Sequence, residues 1–442
     1  MKILIQNGRV MDPATGRDER ADVAVAAGRI IAIGNVAPDF HPNRTIDATG
    51  CVVAPGLIDL SVRLREPGQE HAGMLESEMA AAVAGGVTSL VCPPDTDPVL
   101  DEPGLVDMLR FRAEKLHLAR VFPIGALTRG LQGEVLTEMA ELTESGCIGF
   151  GQAEVPVVNT QVLQRALPYA ATFGYTVWLR PNDAWLGKGV AASGPLATRL
   201  GLSGVPSAAE TIALHTLFEL MRGIRSGGQG ARVHLCRISS AAGLALVRQA
   251  KADGLAVTCD VSVHNLHLTD VDIGYYDSRL RLQPPVRQQR DRDALRAGLA
   301  DGSIDALVSD HNPVDADAKV LPFAEAEPGA TGVELLLGLA CKWAQQDGLG
   351  LMQALTVLTT GPQAVLGNSL GTLQHSVGQL TVGGQADLCI FDPNASWRVE
   401  PAALRSQGKH TPFGGHEMPV RVRATLVAGY VAHERSPAAA PV

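Results

Sequence analysis

The stretch RVHLCRISSAAGLALVRQAKADGLAVTCDV, residues 232–261, contains the repeating unit of the fold. It begins with a short apolar run, continues with the Ala-, Leu- and Arg-rich sequence typical of a helix, and ends with a second apolar run. Two strand-like runs joined by one helix indicate a βαβ unit in a parallel sheet. The same alternation continues along the chain on both sides of this stretch.

Eight apolar runs of this kind, with helical sequence between them, can be counted in the middle of the chain. Eight parallel strands with intervening helices predict an α/β fold, a (β/α)8 TIM-type barrel, in which functional residues lie at the carboxyl ends of the strands. The predicted strands are Val52–Leu60, Thr88–Cys92, Val121–Ala126, Cys147–Gly151, Thr176–Leu179, Arg232–Cys236, Ala256–Val261 and Ile304–Ser309.

Short β-like runs separated by turns occupy both ends of the chain and resemble small antiparallel units. Together they predict a small β-sandwich domain formed by the N-terminal and C-terminal segments. We expect the N-terminal sandwich segment at residues 1–53, the barrel at 54–370, the C-terminal sandwich segment at 371–435 and a flexible tail at 436–442. The runs are Ile3–Gln6, Val23–Ala26, Arg29–Ile33, Thr45–Asp47, Asp387–Phe391, Val420–Val427 and Tyr430–His433.

The overall composition excludes several classes of protein. Of 442 residues, 46% are hydrophobic and 19% are charged, which is typical of a globular chain with a large core. A net charge of -9 is a poor match for nucleic acid or an anionic membrane surface. We expect neither a signal peptide nor a membrane span, because we find no apolar stretch of the length that either needs, roughly 20 residues for a span. Seven cysteines without CxxC spacing indicate reduced thiols, so we expect a cytoplasmic protein.

Polar residues that follow the predicted strands are the candidates for chemistry. A hydrolytic metal centre needs several imidazoles and carboxylates that converge on the ion. Arginine stays charged and has no lone pair to donate, so an arginine at such a position opposes metal binding. The candidates, in strand order, are Ser61, Arg63, Asp95, Gln152, Ala153, Glu154, Arg180, Arg237, His264, Asp310 and His311.

The segment APGLIDLSVRLREPG, residues 54–68, resembles the dihydroorotase signature PGxxDxHxHxRxPG from the amidohydrolase superfamily. Further matches along nearly the whole chain imply the same barrel with a closing β-module. They are AGGVT at 84–88, PDTDP at 94–98 for the family's PNTxP, QPPVR at 283–287 for NPPLR, SDHNP at 309–313 for TDHAP, GQADL at 384–388 and TPFGG at 411–415.

The resemblance also implies that the family's metal site is lost. Only the eighth-strand aspartate survives, as a vestigial Asp310, and one carboxylate without a metal to lower the pKa of water does not make a hydrolase. We therefore expect no zinc and no other cofactor. The degenerate ligand positions are Ser61 and Arg63 for the HxH histidines, Ala153, next to Gln152, for the bridging carboxylate, and Arg180 and Arg237 for the histidines of the fifth and sixth strands.

Substrate recognition is eroded in the same comparison. Arg65 keeps the family's arginine for the substrate carboxylate, whereas Asp95 and Gln283 replace two asparagines and Val314 replaces a histidine. An acidic Asp95 near an anionic ligand adds like-charge repulsion. Dihydroorotate binding is therefore not expected.

Two interpretations of the arginines stay open. They are surface residues, or they fill the vacated site and pair with Asp310 and with Glu154, which replaces the metal by fixed charge. An alternative metal set would use His234, His264 and His267 with Asp310 and His311. Against it, His264 and His311 are expected to be hydrogen-bonded residues of the barrel mouth, and strand alternation places His234 on the opposite face from Arg237. Asp59 is expected to be a supporting group, and Cys92 and Cys236 are weak candidates for nucleophiles.

The resemblance implies a non-catalytic subunit with a structural role. Inactive dihydroorotase homologues assemble with catalytic chains of aspartate transcarbamoylase, typically as a dodecamer of six plus six chains, and barrels of this family commonly dimerise. One alternative is an active hydrolase of a cyclic amide, dihydroorotase-like or hydantoinase-like, with a reduced or rearranged metal site. Another is a sensor that binds a carboxylate ligand on the arginines.

Overall fold

The computed structural model describes residues 1–225 and 230–435, so the predicted tail at 436–442 lies outside the described residues. The N-terminal strands are β1 (Lys2–Gln6), β2 (Arg9–Asp12), β3 (Arg17–Arg20), β4 (Val23–Ala26), β5 (Arg29–Ile33), β6 (Arg44–Asp47) and β7 (Val52–Pro55). The central strands are β8 (Leu57–Asp59), β9 (Val87–Cys92), β10 (Arg120–Pro123), β11 (Gly125–Ala126), β12 (Phe150–Gly151), β13 (Thr176–Leu179), β14 (Ala191–Ala192), β15 (Gly204–Val205), β16 (Arg232–Leu235), β17 (Val257–Ser262) and β18 (Ala306–Val308). The C-terminal strands are β19 (Leu388–Asp392), β20 (Trp397–Arg398), β21 (Glu417–Met418), β22 (Arg421–Val427) and β23 (Tyr430–Glu434).

Twelve α-helices are described, most of them between the central strands. They are α1 (Leu75–Ala84), α2 (Pro103–Leu116), α3 (Met139–Glu144), α4 (Thr160–Phe173), α5 (Pro195–Leu200), α6 (Ala208–Arg225), α7 (Ala241–Ala252), α8 (Val263–His267), α9 (Gln289–Ala300), α10 (Leu336–Gln346), α11 (Leu351–Thr356) and α12 (Thr360–Leu366). Short 3-10 helices occupy Arg129–Leu131, Leu186–Lys188, Asp270–Ile273, Ser278–Leu280, Ala316–Lys319, Val333–Leu335, Gly367–His375 and Pro401–Ala403. No helix in the described parts of the chain is long and apolar enough to cross a membrane.

The central strands form the predicted (β/α)8 barrel. Parallel pairing runs through β8, β9 and β10 and then through β11, β12, β13, β16, β17 and β18. The barrel closes just beyond β8 and β18, where Val62 bridges His311. There the amide of His311 donates to the carbonyl of Ser61 at 3.1 Å, and the amide of Arg63 donates to the carbonyl of His311 at 2.9 Å. Buried side chains that include Ile58, Leu60, Val91, Ile124 and Trp178 pack together in one of the cores.

Two predicted strands are each divided in two. The run at 52–60 comprises β7, which pairs with β19 in the sandwich, and β8, which pairs with β9 in the barrel. The break falls at Gly56, where a Cβ atom would lie 2.1 Å from the Oγ1 atom of Thr88, so the backbones approach too closely for a side chain. The expected domain boundary at 53/54 therefore lies inside β7. The run at 121–126 likewise divides at Ile124 into β10 and β11.

The predicted β-sandwich is made from both ends of the chain. One sheet has the order β5-β4-β1-β6, and the other has the order β23-β22-β19-β7-β2-β3. Buried aliphatic residues such as Ile3, Val25, Val53, Ile390 and Leu426 form one core from the N-terminal and C-terminal segments. The expectation of purely antiparallel units was wrong, because β1 pairs with β6 in parallel and β2 pairs with β7 in parallel.

Some of the C-terminal segment expected in the sandwich lies against the barrel instead. Between β19 and β22 the chain forms the β20–β21 pair. The segment between these two strands contacts α1, where the Oγ of Ser406 and the amide of Gln407 donate to the carboxylate of Glu78. The Nε2 atom of His311 lies 2.7 Å from the same carboxylate. Its Nδ1 atom accepts from the amide of Gly332 at 3.1 Å, so Nε2 carries the proton and donates to Glu78. His311 is therefore a structural residue that links the eighth strand, α1 and the C-terminal segment.

The loop after β16, which carries Arg237, is fixed by a buried carboxylate. Glu210 on α6 has the spacing of a capping box with Ser207, but its carboxylate accepts from the amides of Ser239 at 2.8 Å and Ser240 at 3.1 Å. The Nε atom of Arg287 donates to the Oγ of Ser239 at 2.9 Å. These bonds hold the end of the sixth barrel strand in place.

Candidate functional site

The backbone turns sharply where several barrel strands end. Arg65, Ala153, Arg237 and Asp310 have φ values of 62°, 48°, 57° and 50°, in the left-handed region that non-glycine residues rarely adopt. Such conformations cost energy and often occur at functional sites. All four residues belong to the positions that the family resemblance assigns to metal or substrate, so the local geometry of a site is retained.

Glu154 is the centre of the barrel mouth. Its Oε1 atom lies 2.8 Å from Nη2 of Arg63 and in close contact with Nη2 of Arg237, and its Oε2 atom lies 2.6 Å from Nε of Arg180. Each of the three arginine side chains is 5% exposed, which excludes the interpretation that they are surface residues. One carboxylate therefore joins the arginines that follow the first, fifth and sixth barrel strands.

Two further carboxylates complete this group. The Nη1 atom of Arg237 donates to Oδ1 of Asp310 at 2.9 Å, and the Nε atom of Arg63 donates to Oδ2 of Asp95 at 2.8 Å. Asp95 therefore compensates a buried arginine, a role that the comparison with the family motif did not indicate. We call Arg63, Arg180, Arg237, Glu154, Asp310 and Asp95 the mouth cluster; it contains three guanidinium groups and three carboxylates.

The arginines hold Glu154 and Asp310 in their ionised form. Burial alone would raise the pKa of Glu154, but the charges of Arg237, Arg180 and Arg63 outweigh burial and lower the pKa to about 2. Burial likewise opposes ionisation of Asp310, and the charge of Arg237 holds its pKa well below the usual range. Glu154 and Asp310 therefore stay ionised at neutral pH and compensate the charges of the arginines.

The residues present do not fit the zinc that the family resemblance implies. Zinc takes thiolate, imidazole and carboxylate ligands. The ligand positions hold the Ser61 hydroxyl, the Ala153 methyl group and three guanidinium groups, while the Asp310 carboxylate already binds Arg237. A divalent ion at this place would lie among three fixed positive charges. No catalytic step can be derived through a metal at this position.

The space left among the ligand positions is small, and a groove of about 320 Å³ beside Gln152, Arg180 and Trp185 lies outside them. A cavity of about 30 Å³ remains beside Ser61, Arg63, Ala153, Trp178 and Arg237. Pockets that bind small organic ligands usually measure about 300–1,000 Å³. The cavity can hold a water molecule but not a cyclic amide, because the arginine side chains occupy the rest of the space.

The residues expected to be vestiges of substrate binding contact the chain itself. The Nε atom of Arg65 donates to the carbonyl of Pro313 at 2.8 Å, and its Nη1 atom contacts Oε1 of Gln69. Gln283 accepts from Arg237 through its backbone carbonyl at 3.3 Å, and Val314 is buried. The structure therefore assigns Arg65 and Gln283 contacts within the fold.

The histidines of the alternative metal set are not brought together. The His264 ring stacks on Phe413 with 5.7 Å between the ring centroids. Its Nδ1 atom lies 3.7 Å from Oδ2 of Asp310, which is too long for a hydrogen bond, so the expectation that His264 is hydrogen-bonded was wrong. Instead, Phe413 from the C-terminal segment covers the ring. The Nε2 atom of His267 contacts the carbonyl of Leu339 at 3.0 Å, and burial lowers the pKa of His267 to about 3.

His234 belongs to a group that the sequence comparison missed. Its Nε2 atom lies 2.8 Å from Oδ2 of Asp260, whose Oδ1 accepts from the amide of Arg237 at 2.6 Å. The alternation used to separate His234 from Arg237 ends with β16 at Leu235, and Arg237 is turned by its left-handed backbone. One ligand atom each of His234, Cys236 and Asp260 lies within 4.8 Å of the others. The one available signal was an aspartate inside the apolar run of β17.

Asp59 and Cys92 are buried, and Cys236 is partly buried. The Oδ1 atom of Asp59 accepts from the amides of Ser61 and Ser309, each at 3.2 Å, and joins the first and eighth strands. Burial raises the pKa of Asp59 to about 7. Burial also raises the pKa of Cys92 to about 12 and that of Cys236 well above its usual value, so both thiols stay protonated and are poor nucleophiles.

Comparisons with known proteins agree with the fold and identify the family. Residues 50–242 match the family described as Dihydro-orotase-like, and residues 215–431 match the Amidohydrolase family. The "Dihydroorotase-like protein" of Pseudomonas aeruginosa is 44% identical over 435 residues, which cover 98% of this chain and 100% of the relative. The "Dihydroorotase" of Geobacter sp. is 40% identical over 437 residues, which cover 98% of this chain and 100% of the relative.

A solved structure shows the same architecture. The L-hydantoinase (dihydropyrimidinase) from Arthrobacter aurescens superimposes with a TM-score of 0.86 over 99% of this chain and 97% of that chain, at 23% identity. At this identity the likeness concerns the fold. The two family matches and the identity to full-length relatives go further: the chain belongs to the dihydroorotase-like family of the amidohydrolase superfamily.

Proposed function

We propose that this chain is a non-catalytic dihydroorotase-like subunit with a structural role in the assembly of aspartate transcarbamoylase, in the pyrimidine biosynthesis of the cytoplasm. The observation that carries the proposal is the mouth cluster, in which Arg63, Arg180 and Arg237 occupy ligand positions and bind Glu154. Three permanent cations at these positions oppose the binding of a divalent ion.

The chemistry of Asp310 supports the same conclusion. A general base works best when its pKa lies near the working pH, and a metal ordinarily makes the attacking water acidic enough to react. Asp310 is bound to Arg237, and its pKa lies well below the usual range. Its carboxylate is therefore a poor acceptor for the proton of a water molecule at neutral pH.

The mouth cluster has a structural use in a chain without hydrolase activity. It joins residues that follow five different barrel strands, namely β8, β9, β12, β13 and β16. Asp310, which follows β18, adds a sixth strand. An ion-paired group of this kind keeps the loops at the carboxyl ends of the strands in one arrangement. These loops are then available as a fixed surface for another chain.

An assay of hydrolysis tests the absence of activity. The purified chain, incubated with excess zinc, is expected to show no ring opening of dihydroorotate or hydantoin above the rate of buffer with zinc, while a dihydroorotase of known activity serves as the positive control. Turnover that scales with the concentration of the chain would refute the non-catalytic role.

The identity of the partner is inferred from the family resemblance alone, so it is tested by a separate experiment. We expect native mass spectrometry of the chain mixed with aspartate transcarbamoylase catalytic chains of the same organism to show a hetero-oligomer, with six plus six chains as the expected composition. The chain alone is expected to be a dimer. Two separate species at micromolar concentration would contradict the assembly role without bearing on the loss of activity.

One observation favours a second candidate, a cyclic-amide hydrolase with a rearranged metal site. The group of His234, Cys236 and Asp260 offers three types of zinc ligand in one place. It lies beside the mouth cavity of about 30 Å³, which leaves no room for a cyclic substrate. Cobalt added to the chain would give a thiolate-to-metal absorption band, lost in Cys236→Ser, if this group binds a metal.

The carboxylate-sensor alternative has less support. A sensor needs uncompensated positive charge, whereas the three arginines already face Glu154, Asp310 and Asp95. We expect a thermal melt with millimolar dihydroorotate or carbamoyl aspartate to show no shift that saturates with ligand concentration.

A further inference from the structure

A second cavity lies at the other end of the barrel from the mouth cluster. It measures about 510 Å³ and is formed by α2, the start of β10, the 3-10 segment after α12 and the turn between β22 and β23. We propose that this cleft binds an organic anion with a flat apolar body. The proposal is independent of the proposed function, because it uses none of the residues of the mouth cluster.

The floor of the cleft is apolar. It is lined by Val121 and Phe122 of β10, Ile148, and Leu370 and Leu373. A cleft of this volume with an apolar lining and a few polar groups has the usual features of a small-molecule site. An apolar body of one or two fused rings would remove these side chains from water.

Arginines stand on the rim in fixed positions. The Nη1 atom of Arg110 donates to the carbonyl of Ser145 at 2.8 Å. Its guanidinium lies against Gly146, where a Cβ atom would come within 2.2 Å of Nη1, so a side chain at this position would displace the guanidinium. Arg120 is held by a bidentate pair with Asp387 behind the cleft. Positions fixed in advance reduce the entropy that ligand binding costs.

Two rings on the rim indicate a flat ligand. His117 and Tyr430 stack at 6.1 Å between centroids with 28° between their planes, and Tyr430 is 63% exposed. Within residues 1–225 and 230–435, neither side chain forms a hydrogen bond, so the imidazole and the hydroxyl can both contact a ligand. Aromatic faces in this arrangement suit a planar partner.

The charges on the rim favour an anion. Arg120 is already paired with Asp387, so the cation left for a ligand is Arg110. Its Nη2 atom lies 3.5 Å from Oε1 of Glu114, a side chain that is 70% exposed and forms only a weak surface pair, which an anion in the cleft can replace. A charge-assisted hydrogen bond to an anion is stronger than one to a neutral acceptor. The head group is therefore a carboxylate, sulfonate or phosphate, and the class of ligand is an aromatic or polycyclic acid.

A matched pair of probes tests the proposal on the full chain. Anilinonaphthalene sulfonate carries fused rings and one anion, and phenylnaphthylamine has the same ring system without the sulfonate. By isothermal titration calorimetry we expect one equivalent of the sulfonate to bind, about tenfold more tightly than the neutral probe. A thermal melt is expected to shift upward with the sulfonate, because the cleft joins the barrel to the sandwich.

Three variants locate the site. Val121→Trp fills the floor and should abolish sulfonate binding, and Arg110→Gln should weaken it about tenfold. The matched control is Val158→Trp, which places the same side chain in a separate groove of about 320 Å³ beside Trp185 and should leave binding unchanged. If Val121→Trp fails to fold, the proposal is still tested by the affinity of Arg110→Gln for the sulfonate and by the comparison of the two probes.

Several results would overturn the proposal. These are equal affinity for the charged and neutral probes, unchanged sulfonate affinity in Arg110→Gln, loss of binding in Val158→Trp instead of Val121→Trp, and an absence of saturable binding. If the sulfonate binds as expected, phosphate and carboxylate analogues of the same ring system show which of the three anionic head groups the cleft prefers.

Discussion

Glu154 holds the barrel mouth together, since its carboxylate accepts hydrogen bonds from Arg63 and Arg237 and forms an ion pair with Arg180. Replacing it by glutamine removes the charge but keeps the size of the side chain. We expect Glu154→Gln to lower the free energy of unfolding by about 3 kcal/mol, because it leaves buried guanidinium groups uncompensated. Chemical denaturation measures the change.

The matched control for this prediction is an exposed ion pair. Glu219 lies 3.6 Å from Arg222 on α6 and its side chain is 80% exposed, so Glu219→Gln should change stability by less than about 0.5 kcal/mol. Equal effects of the two substitutions would show that the mouth cluster contributes no more than a surface pair.

Acid should weaken the mouth cluster in a defined range. The pKa of Glu154 is about 2 in the folded chain, against 4.5 ordinarily. Because the folded-state pKa is the lower one, the stability from ionised Glu154 is complete above about pH 4.5 and is lost as the pH falls toward about 2. Thermal melts between these pH values should fall less steeply for Glu154→Gln than for the unaltered chain, and parallel curves would contradict the assignment.

Asp59 should show the opposite dependence. Its folded-state pKa is about 7, against 3.8 ordinarily, so the unfolded chain loses this proton first and stability decreases as the pH rises from about 4 to about 7. We expect Asp59→Asn, which cannot ionise, to be more stable than the unaltered chain at about pH 8. The difference should shrink toward about pH 4, and a constant difference across this range would contradict the shift.

Much of the mouth cluster follows from the sequence alone. The strand-end positions of Arg63, Arg180 and Arg237 predict the loss of the metal site, and Glu154 and Asp310 were considered as their partners. The role of Asp95 could not be found in this way, because a motif comparison reports what a residue replaces and not what it contacts. Phe413 over His264 is a contact between distant segments, which a single sequence does not reveal.

At the level of elements, the break between β7 and β8 is a small feature with a large effect. It transfers the chain from the sandwich to the barrel at Gly56, beside Thr88 of β9. Gly56→Ala should destabilise the chain by about 1 to 3 kcal/mol, because the added methyl group would overlap the Thr88 side chain. Thr88→Ala in the same chain should restore some of the loss.

Gly104 near the start of α2 supplies the control for this prediction. A Cβ atom there meets nothing within 4 Å, so Gly104→Ala should be neutral or slightly stabilising. If Gly56→Ala and Gly104→Ala have the same melting temperature, the close approach of the two strands is not the reason for the break between β7 and β8.

The elements themselves were predicted unevenly, for a physical reason. Barrel strands are buried on both faces, so they read as apolar runs and were found. The strand β3 has the sequence RDER, is mostly exposed and lies at a sheet edge, so it has no hydrophobic pattern and was missed. Parallel pairing in the sandwich is also invisible in a local pattern, because it depends on the path of the connection.

At the scale of the whole molecule, the barrel is held by charges of its own side chains where the family resemblance places a metal. We expect the melting temperature to be unchanged by excess zinc and by a strong chelator, since the mouth cluster offers no zinc ligand set. Differential scanning fluorimetry with both additives makes the comparison. A stabilisation that saturates at one zinc per chain, and persists in Cys236→Ser, would place a metal at the mouth after all.

The sandwich brings together the first and last segments of the chain, with Val53 on β7 paired to Ile390 on β19. During translation, β7 leaves the ribosome long before its partner is made. At ordinary synthesis rates of roughly 5 to 20 residues per second, this delay is on the order of 20 to 70 seconds. The apolar face of the nascent N-terminal strands is exposed to solvent during that interval, so this segment is where a holding chaperone would be expected to act.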